Sequence, residues 1–244
     1  MADVRDRIRE YWDRDSATYD RSPSHALTNP VEAAAWRAAL RRHLPEPGSH
    51  ILEAGAGTGS VTLLLAELGF RVTALDLSEG MLARARDKLA GHDQVEFVTG
   101  PADQPPSGPF DAVVERNMLW TNPDPVGSLT AWREVVRPSG RLLVLEGIEG
   151  GLLQDLRWRA AEVVRRTLRI PDDHHDHYDA EVEAALPLAG ADTPGPLIDA
   201  VRRAGWSGIR LERLRDVEWA RRMAPPRLLG LLETPSLFAV GADA

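Results

Sequence analysis

Residues Ile51 to Asp76, ILEAGAGTGSVTLLLAELGFRVTALD, constrain this chain more than any other stretch. A short apolar start, Ile51 and Leu52, runs into Glu53, and three alternate glycines follow at 55, 57 and 59. Val61, Leu64, Leu65 and Leu68 then recur at helical spacing, and Arg71 to Leu75 reads as a second short strand ending on Asp76. A strand, a tight turn, a helix and a second strand of this length make a βαβ unit. The glycines suit a turn that a ligand approaches closely and in which φ turns positive. Asp76, at the tip of the second strand, is placed to accept hydrogen bonds from two ribose hydroxyls. The stretch therefore predicts a berth for a nucleoside-containing ligand.

The dinucleotide fingerprint G-x-G-x-x-G turns a helix N-terminus towards a pyrophosphate. Here the spacing is E-x-G-x-G-x-G. A carboxylate in the turn region repels a pyrophosphate but suits a cation, such as the amino group of a methionine moiety held directly or through water. The segment resembles motif I of the class I S-adenosylmethionine (SAM)-dependent methyltransferases of small-molecule type, and Asp76 resembles their ribose-binding acid. A second stretch, FDAVVERNMLWTNPDPVGSLTAWREVVRPSGRLLVLEG from Phe110 to Gly147, resembles the same family independently.

The resemblance implies a doubly wound α/β fold, with a seven-stranded sheet whose last strand is antiparallel. It divides the chain into an N-terminal helical cap (1–47), a SAM-binding core (48–146 and 196–244) and an inserted helical substrate lid (147–195). It implies that the cap's W-D…A…Y-D segment, here Trp12 to Asp20, folds over the cofactor, with SAM contacts from Tyr19 and Arg21 in the cap, and from Glu53, Gly55, Ala56, Gly57 and Gly59 in the turn. Further contacts fall to Asp76, Leu77 and Met81, to Ala102 and Asp103, and to Glu115 and Arg116. One departure stands out: where the family typically reads G-D-A, this chain reads Gly100-Pro101-Ala102, which leaves Asp103 to take over the acid's role. Tyr19 has an alternative reading as helix-end packing, and Glu115 with Arg116 as an internal ion pair.

Composition narrows the function further. At 244 residues and 43% hydrophobic content the chain fits one sizeable α/β domain, with or without an insertion. A net charge of −8 gives no general attraction to nucleic acid or to an anionic membrane. The absence of cysteine excludes disulfides and thiolate chemistry. A charged N-terminus and no apolar run approaching about 18 residues predict a cytoplasmic protein.

Along the chain, the spacing predicts helices over 3–20 (Val4, Ile8, Tyr11 and Trp12 on one side) and over Pro30 to His43. The second has Asn29 as N-cap and Val31, Ala34, Ala35, Ala38 and Leu44 near its buried side. Ser78 caps a helix with Met81, Leu82, Ala85 and Leu89 inward, and Asp124-Pro125 starts another with Val126, Leu129, Trp132 and Val136 inward. Further strands are expected at 95–98, 110–114, 142–145, 209–217 and 237–240, and a crossover helix at 197–204. Within 147–195 two helical runs flank a polar segment, Pro171 to Tyr178.

Methyl transfer from a sulfonium is an in-line displacement, so the main demand is to hold nucleophile and methyl collinear and dry. A hydroxyl acceptor also wants a general base. Catalytic candidates are His174, His175, His177 and Tyr178, in a run that reads equally as a solvated loop or, less simply, as a metal site; no metal is expected. His25, Asn117 and Trp120 are candidate substrate contacts, with packing of the strand's end as the alternative for Trp120. Eight arginines against three acids between Arg202 and Arg227 form either a solvated face or a surface for an anionic substrate or carrier protein. The expected function is methyl transfer to an oxygen or nitrogen of a small-molecule acceptor, in the setting of bacterial specialised metabolism, with S-adenosyl-L-homocysteine as product. The protein is expected to be a monomer or homodimer, with no nucleic-acid or membrane partner. The alternatives are a non-methylating SAM binder or sensor, an RNA or DNA methylase and, most distantly, a nicotinamide dehydrogenase. Net acidity and Asn122-Pro123-Asp124 in place of N-P-P-aromatic weigh against nucleic acid.

Overall fold

A computed structural model describes residues 2–148, 151–170, 178–224 and 226–244. Its centre is one seven-stranded sheet in the order β3-β2-β1-β4-β5-β7-β6. The strands are β1 (His50–Ala54), β2 (Arg71–Asp76), β3 (Val95–Thr99), β4 (Phe110–Arg116), β5 (Val136–Ile148), β6 (Ser207–Arg213) and β7 (Ser236–Asp243). The first five run parallel, and β7 lies antiparallel between β5 and β6. β1 and β4 are almost wholly buried, which is why both read as apolar runs without alternation. Strand order reverses between them, so their carboxyl ends, at Ala54 and Arg116, open the crevice where an α/β sheet binds its ligand.

Helices cover both faces: α1 (Ala2–Asp15), α2 (Pro23–Ala26), α3 (Pro30–His43), α4 (Ser60–Glu67), α5 (Glu79–Lys88), α6 (Pro125–Val135), α7 (Leu152–Leu168), α8 (Ala180–Ala184), α9 (Gly195–Arg203), α10 (Arg215–Met223) and α11 (Arg227–Glu233). Short 3-10 turns at Tyr19–Arg21 and Leu119–Thr121 join them. The expected caps form: Asn29 Oδ1 accepts from the amides of Val31 and Glu32, Ser78 Oγ from Met81, and Asp124 Oδ1 from Gly127. One core cluster packs α3 and α4 on one face of the sheet, and another packs α6 and α9 on the other.

Three expectations change. The helix expected over 3–20 stops at Asp15, and the polar loop after it carries a 3-10 turn and α2. α3 buries Glu32, Ala33, Trp36, Ala39 and Leu40, while Val31 and Ala34 face solvent. Its inward face contains an acid because Glu32 is met by Arg221 Nε at 2.6 Å and by Trp36 Nε1 at 3.3 Å, so counting apolar residues picks the wrong side. The strand expected over 209–217 ends at Arg213, and α10 begins two residues later. There Glu218 is buried against Arg213, Arg222 and the Leu237 amide, and Val217 with Ala220 faces inward at helical spacing. Of the segment 147–195, α7 packs against α11, with Arg165 on Glu233 at 2.6 Å, whereas α8 packs against α1.

Gly59 caps α4 with φ +79°, and a Cβ there would sit 2.9 Å from Ala85 Cβ and 2.7 Å from Leu89 Cδ1. Gly59→Ala therefore meets both a left-handed backbone and a filled α4–α5 contact. Urea denaturation should show a loss of about 2 kcal/mol or more, against a gain of a few tenths at an unstrained site.

Candidate functional site

The floor of the crevice is the turn after β1. Gly55 (φ +73°) and Ala56 both donate their amides to Leu75 O, at 2.8 and 3.0 Å, tying the turn to β2. A Cβ on Gly55 would lie 2.5 Å from Met118 Cγ, so only glycine lets β4's exit pass. The Gly57 amide donates to Asp76 Oδ2 at 2.7 Å, and Ser78 N to Oδ1 at 2.8 Å. Asp76 is thus fixed at the tip of β2, with acceptor positions left on both oxygens. Burial pushes its carboxyl up to about 6 despite these two amides.

Glu53 points from β1 beneath the turn and is 3% exposed. Burial raises its carboxyl to about 7, offset by the Thr62 hydroxyl and the Arg116 charge. Its Oε2 is buried without a hydrogen-bond partner. It borders a recess of about 280 Å³ that also touches Tyr19, Ala56, Gly57 and Arg116. Glu115 behaves differently: fully buried, it accepts from the Met118 and Leu119 amides at 2.9 and 3.3 Å and so shapes the Leu119–Thr121 turn. Burial raises its carboxyl, and it borders neither the recess nor the larger cleft.

That larger cleft encloses about 830 Å³, solvent-continuous space included, between the sheet edge and α1. Its roof is Arg5, Ile8, Trp12 and Tyr19; its walls include Asp76, Leu77, Met81, Ala102, Asp103, Arg116, Asn117 and Thr121. The roof is fastened by charge. Arg5 meets Asp103 Oδ2 at 2.6 Å, Asp13 accepts from Ser78 Oγ (2.5 Å) and Gly80 N (3.0 Å), and Asp20 takes Thr58 Oγ1 (2.6 Å) and Lys88 (2.9 Å). The Arg116 guanidinium donates to Ser24 O and His25 O at 3.3 Å each and lies 5.6 Å from the Trp36 ring centre. Asp103 Oδ1 is a second buried carboxylate oxygen without a partner, on the cleft wall.

Most of the residues expected at a cofactor site converge here, in the turn, at the tip of β2, at 102–103 and at Tyr19 and Arg116. Gly59 instead packs α4 on α5, and Arg21 is exposed and borders neither cavity. Asn117 lines the cleft with φ +56°, its Oδ1 accepting from Gly147 N at 3.2 Å. His25 stacks on Tyr19 with ring centres 4.3 Å apart, one layer behind the cleft. Trp120 stands 6.1 Å from Tyr178, which also meets Tyr11 at 4.6 Å and Trp12 at 6.3 Å. The Tyr178 hydroxyl is buried near Thr121 and Trp12 without a well-formed hydrogen bond, and burial raises its pKa. His174, His175 and His177 lie outside the described residues. Among the described residues no cluster of three metal-ligating side chains occurs. Trp12 belongs to the W-D…A…Y-D segment that the resemblance lays over the cofactor, whereas Arg5 and Ile8 were not anticipated at the site; α1 shows an apolar stripe in sequence, but nothing in the pattern says which surface it covers.

The arrangement offers a carboxylate for vicinal hydroxyls, a lone buried acceptor suited to a cation, and apolar walls for a flat base. Residues 52–144 match the sequence model of a family described as the methyltransferase domain. The chain is 36% identical over 143 residues to the demethylmenaquinone methyltransferase of Clavibacter sepedonicus, covering 57% of this chain and 58% of that protein. It is 35% identical over 142 residues to the ubiquinone biosynthesis O-methyltransferase of Xanthomonas campestris pv. campestris, covering 55% and 54%. The chain thus spans little more than half the length of these curated relatives. Among solved structures, the 1,6-didemethyltoxoflavin-N1-methyltransferase of Burkholderia thailandensis superposes with a TM-score of 0.61 at 20% identity, over 97% of this chain and 87% of that one, which shows a shared fold.

The Glu53 carboxyl carries a pH signature. Its folded pKa of about 7 lies above the ordinary 4.5, so the stability it contributes is present below pH 4.5 and lost as pH rises through 7. Glu53→Gln should match the parent near pH 4.5 and exceed it at pH 8 by on the order of 3 kcal/mol, read by urea denaturation at both values.

Proposed function

We propose that this chain, whose core is a class I SAM-dependent methyltransferase domain, transfers the SAM methyl group to an oxygen or nitrogen of a small aromatic acceptor. The observation that carries the reading is the pairing, on one crevice, of Asp76 with the unpartnered Glu53 Oε2. The residues present fit SAM. A buried acceptor lies ready for the methionine ammonium, and the space beside Gly57 Cα is open where the backbone meets a ligand. When bound, SAM supplies an electrophilic methyl on a sulfonium.

The chain's own residues then divide the work. Asp76 accepts from the ribose hydroxyls while the Gly57 and Ser78 amides keep it oriented. Leu77 and Met81 wall the base, and Asp103 Oδ1 accepts from its amino group. Arg116, shared by both cavities, faces the carboxylate end. Trp12 and Tyr19 close the roof and exclude water, and their rings suit a planar acceptor. Two curated relatives named for quinone-related substrates are consistent with such an acceptor. With its pKa raised by burial, the Tyr178 phenol acts as a hydrogen-bond donor and not as a base.

Isothermal titration with SAM and with S-adenosylhomocysteine is the test, followed by product mass from an acceptor panel. Both should bind, and Asp76→Asn should weaken SAM by about 2 kcal/mol, roughly thirtyfold. Affinity for SAM should rise between pH 5.5 and 8 as Asp76 and Glu53 ionise through about 6 and 7. Binding of neither ligand, or preference for a nicotinamide dinucleotide, would end this reading.

A further inference from the structure

Eight of the ten large apolar side chains exposed among the described residues lie on α7, α10 and α11. These helices form a row: α7 packs on α11 and α11 on α10, where a Cβ on Gly230 would sit 2.7 Å from Arg221 O. Helical spacing puts Leu152, Leu156 and Val163 on one face of α7, with Arg159 among them. It likewise groups Trp219 and Met223 with Arg215 on α10, and Leu228 and Leu231 with Arg227 on α11. None of these three arginines makes an ion pair among the described residues. The three helices carry eight arginines against five acids, whereas the whole chain carries a net −8.

We propose that the outer face of α7, α10 and α11 docks on an anionic lipid bilayer. The arrangement of charge selects this occupant. Arginine is common in protein–protein interfaces, but a guanidinium buried there needs an acceptor placed opposite it by the partner chain, whereas an anionic headgroup layer offers phosphates at every position. Here an unpaired arginine sits within or beside every apolar group. That pattern suits a headgroup layer, where leucine, valine and tryptophan enter the acyl boundary and guanidinium groups reach phosphates. A second copy on the same face, related by a two-fold axis, would set like charges against each other. The proposal departs from the expectation of no membrane partner, which rested on the charge of the whole chain and not on its distribution. Among the described residues no helix is long and apolar enough to cross a bilayer, so the contact is peripheral.

The face starts at the sheet edge that holds the crevice. β5 ends at Ile148 shortly before α7, and its Gly147 amide donates to Asn117, a cleft wall residue. A membrane contact is useful to an enzyme with a lipophilic acceptor; this clause alone rests on the proposed methyl transfer.

Co-sedimentation with vesicles of phosphatidylglycerol mixed with phosphatidylcholine, against vesicles of phosphatidylcholine alone, tests the docking. The full chain should pellet with the anionic vesicles and not with the neutral ones, and 0.5 M salt should reduce binding several-fold (roughly, from screening). Arg159→Gln with Arg227→Gln should weaken it similarly, and Leu156→Gln with Val163→Gln and Leu231→Gln should abolish it. Each variant is accepted only with an unchanged circular dichroism melt and unchanged S-adenosylhomocysteine titration. No binding to anionic vesicles, equal binding to neutral ones, or full binding by the triple variant would overturn the proposal. So would a dimer in solution that the triple variant converts to monomer.

Discussion

A carboxylate taken out of water with one oxygen left unpaired is costly, and this fold holds one near the end of its first strand. Glu53 is buried under a glycine turn, and its ionisation is opposed by burial and only partly relieved by Thr62 and Arg116. Much of the surrounding geometry accommodates that acid. The glycines keep side chains off the backbone above it, Asp76 anchors the turn from β2, and Arg116 enters from β4 with its guanidinium held by cap carbonyls. The order of the strands makes this possible, because the connections leaving the paired carboxyl ends of β1 and β4 run to opposite sides of the sheet, towards β2 and β5.

The roof is built on a different principle from the floor. The sheet core is continuous aliphatic packing, whereas α1 rests on a small cluster of Ile8, Val182 and Leu186 and on polar contacts through Arg5, Arg7 and Asp13, with Asp20 fastening the 3-10 turn that follows. Partly exposed ion pairs each contribute little, about 0–1 kcal/mol. Such an element opens at lower cost than the sheet beneath it, as a cover over a ligand cleft must.

The parallel half of the fold was legible because its physics is local. The βαβ unit and the caps at Asn29, Ser78 and Asp124 follow from glycine, proline and apolar spacing, whereas the doubly wound sheet came with the family resemblance. Legibility ended where burial depends on partners distant in sequence. Glu32 is buried because Arg221, far away in sequence, meets it, and Glu218 because the Leu237 amide of β7 joins its near neighbours Arg213 and Arg222; these acids accompany the two changed assignments, the inner face of α3 and the end of β6. The glycine turn and Asp76 were visible for the same local reason. Trp12 came only with the family resemblance, and Arg5 was not visible at all, since only the tertiary fold lays α1 across the crevice.

Five buried or partly buried acids invite confusion, and their surroundings separate them. Glu32 and Glu218 are architectural: their oxygens are met by arginine, indole or backbone donors. Glu115 has one oxygen on two amides and one without a partner, so an unsatisfied atom is not by itself a mark of function. What distinguishes Glu53 is that the residue carrying the unpartnered Oε2 borders open volume, whereas Glu115 is sealed behind the turn it supports. Asp76 has both oxygens engaged, but only by amides that orient it, and it too faces the cleft. Acceptor capacity and adjoining space together, and not burial or a raised pKa alone, single out Glu53 and Asp76 as the acids that the proposed ligand would engage.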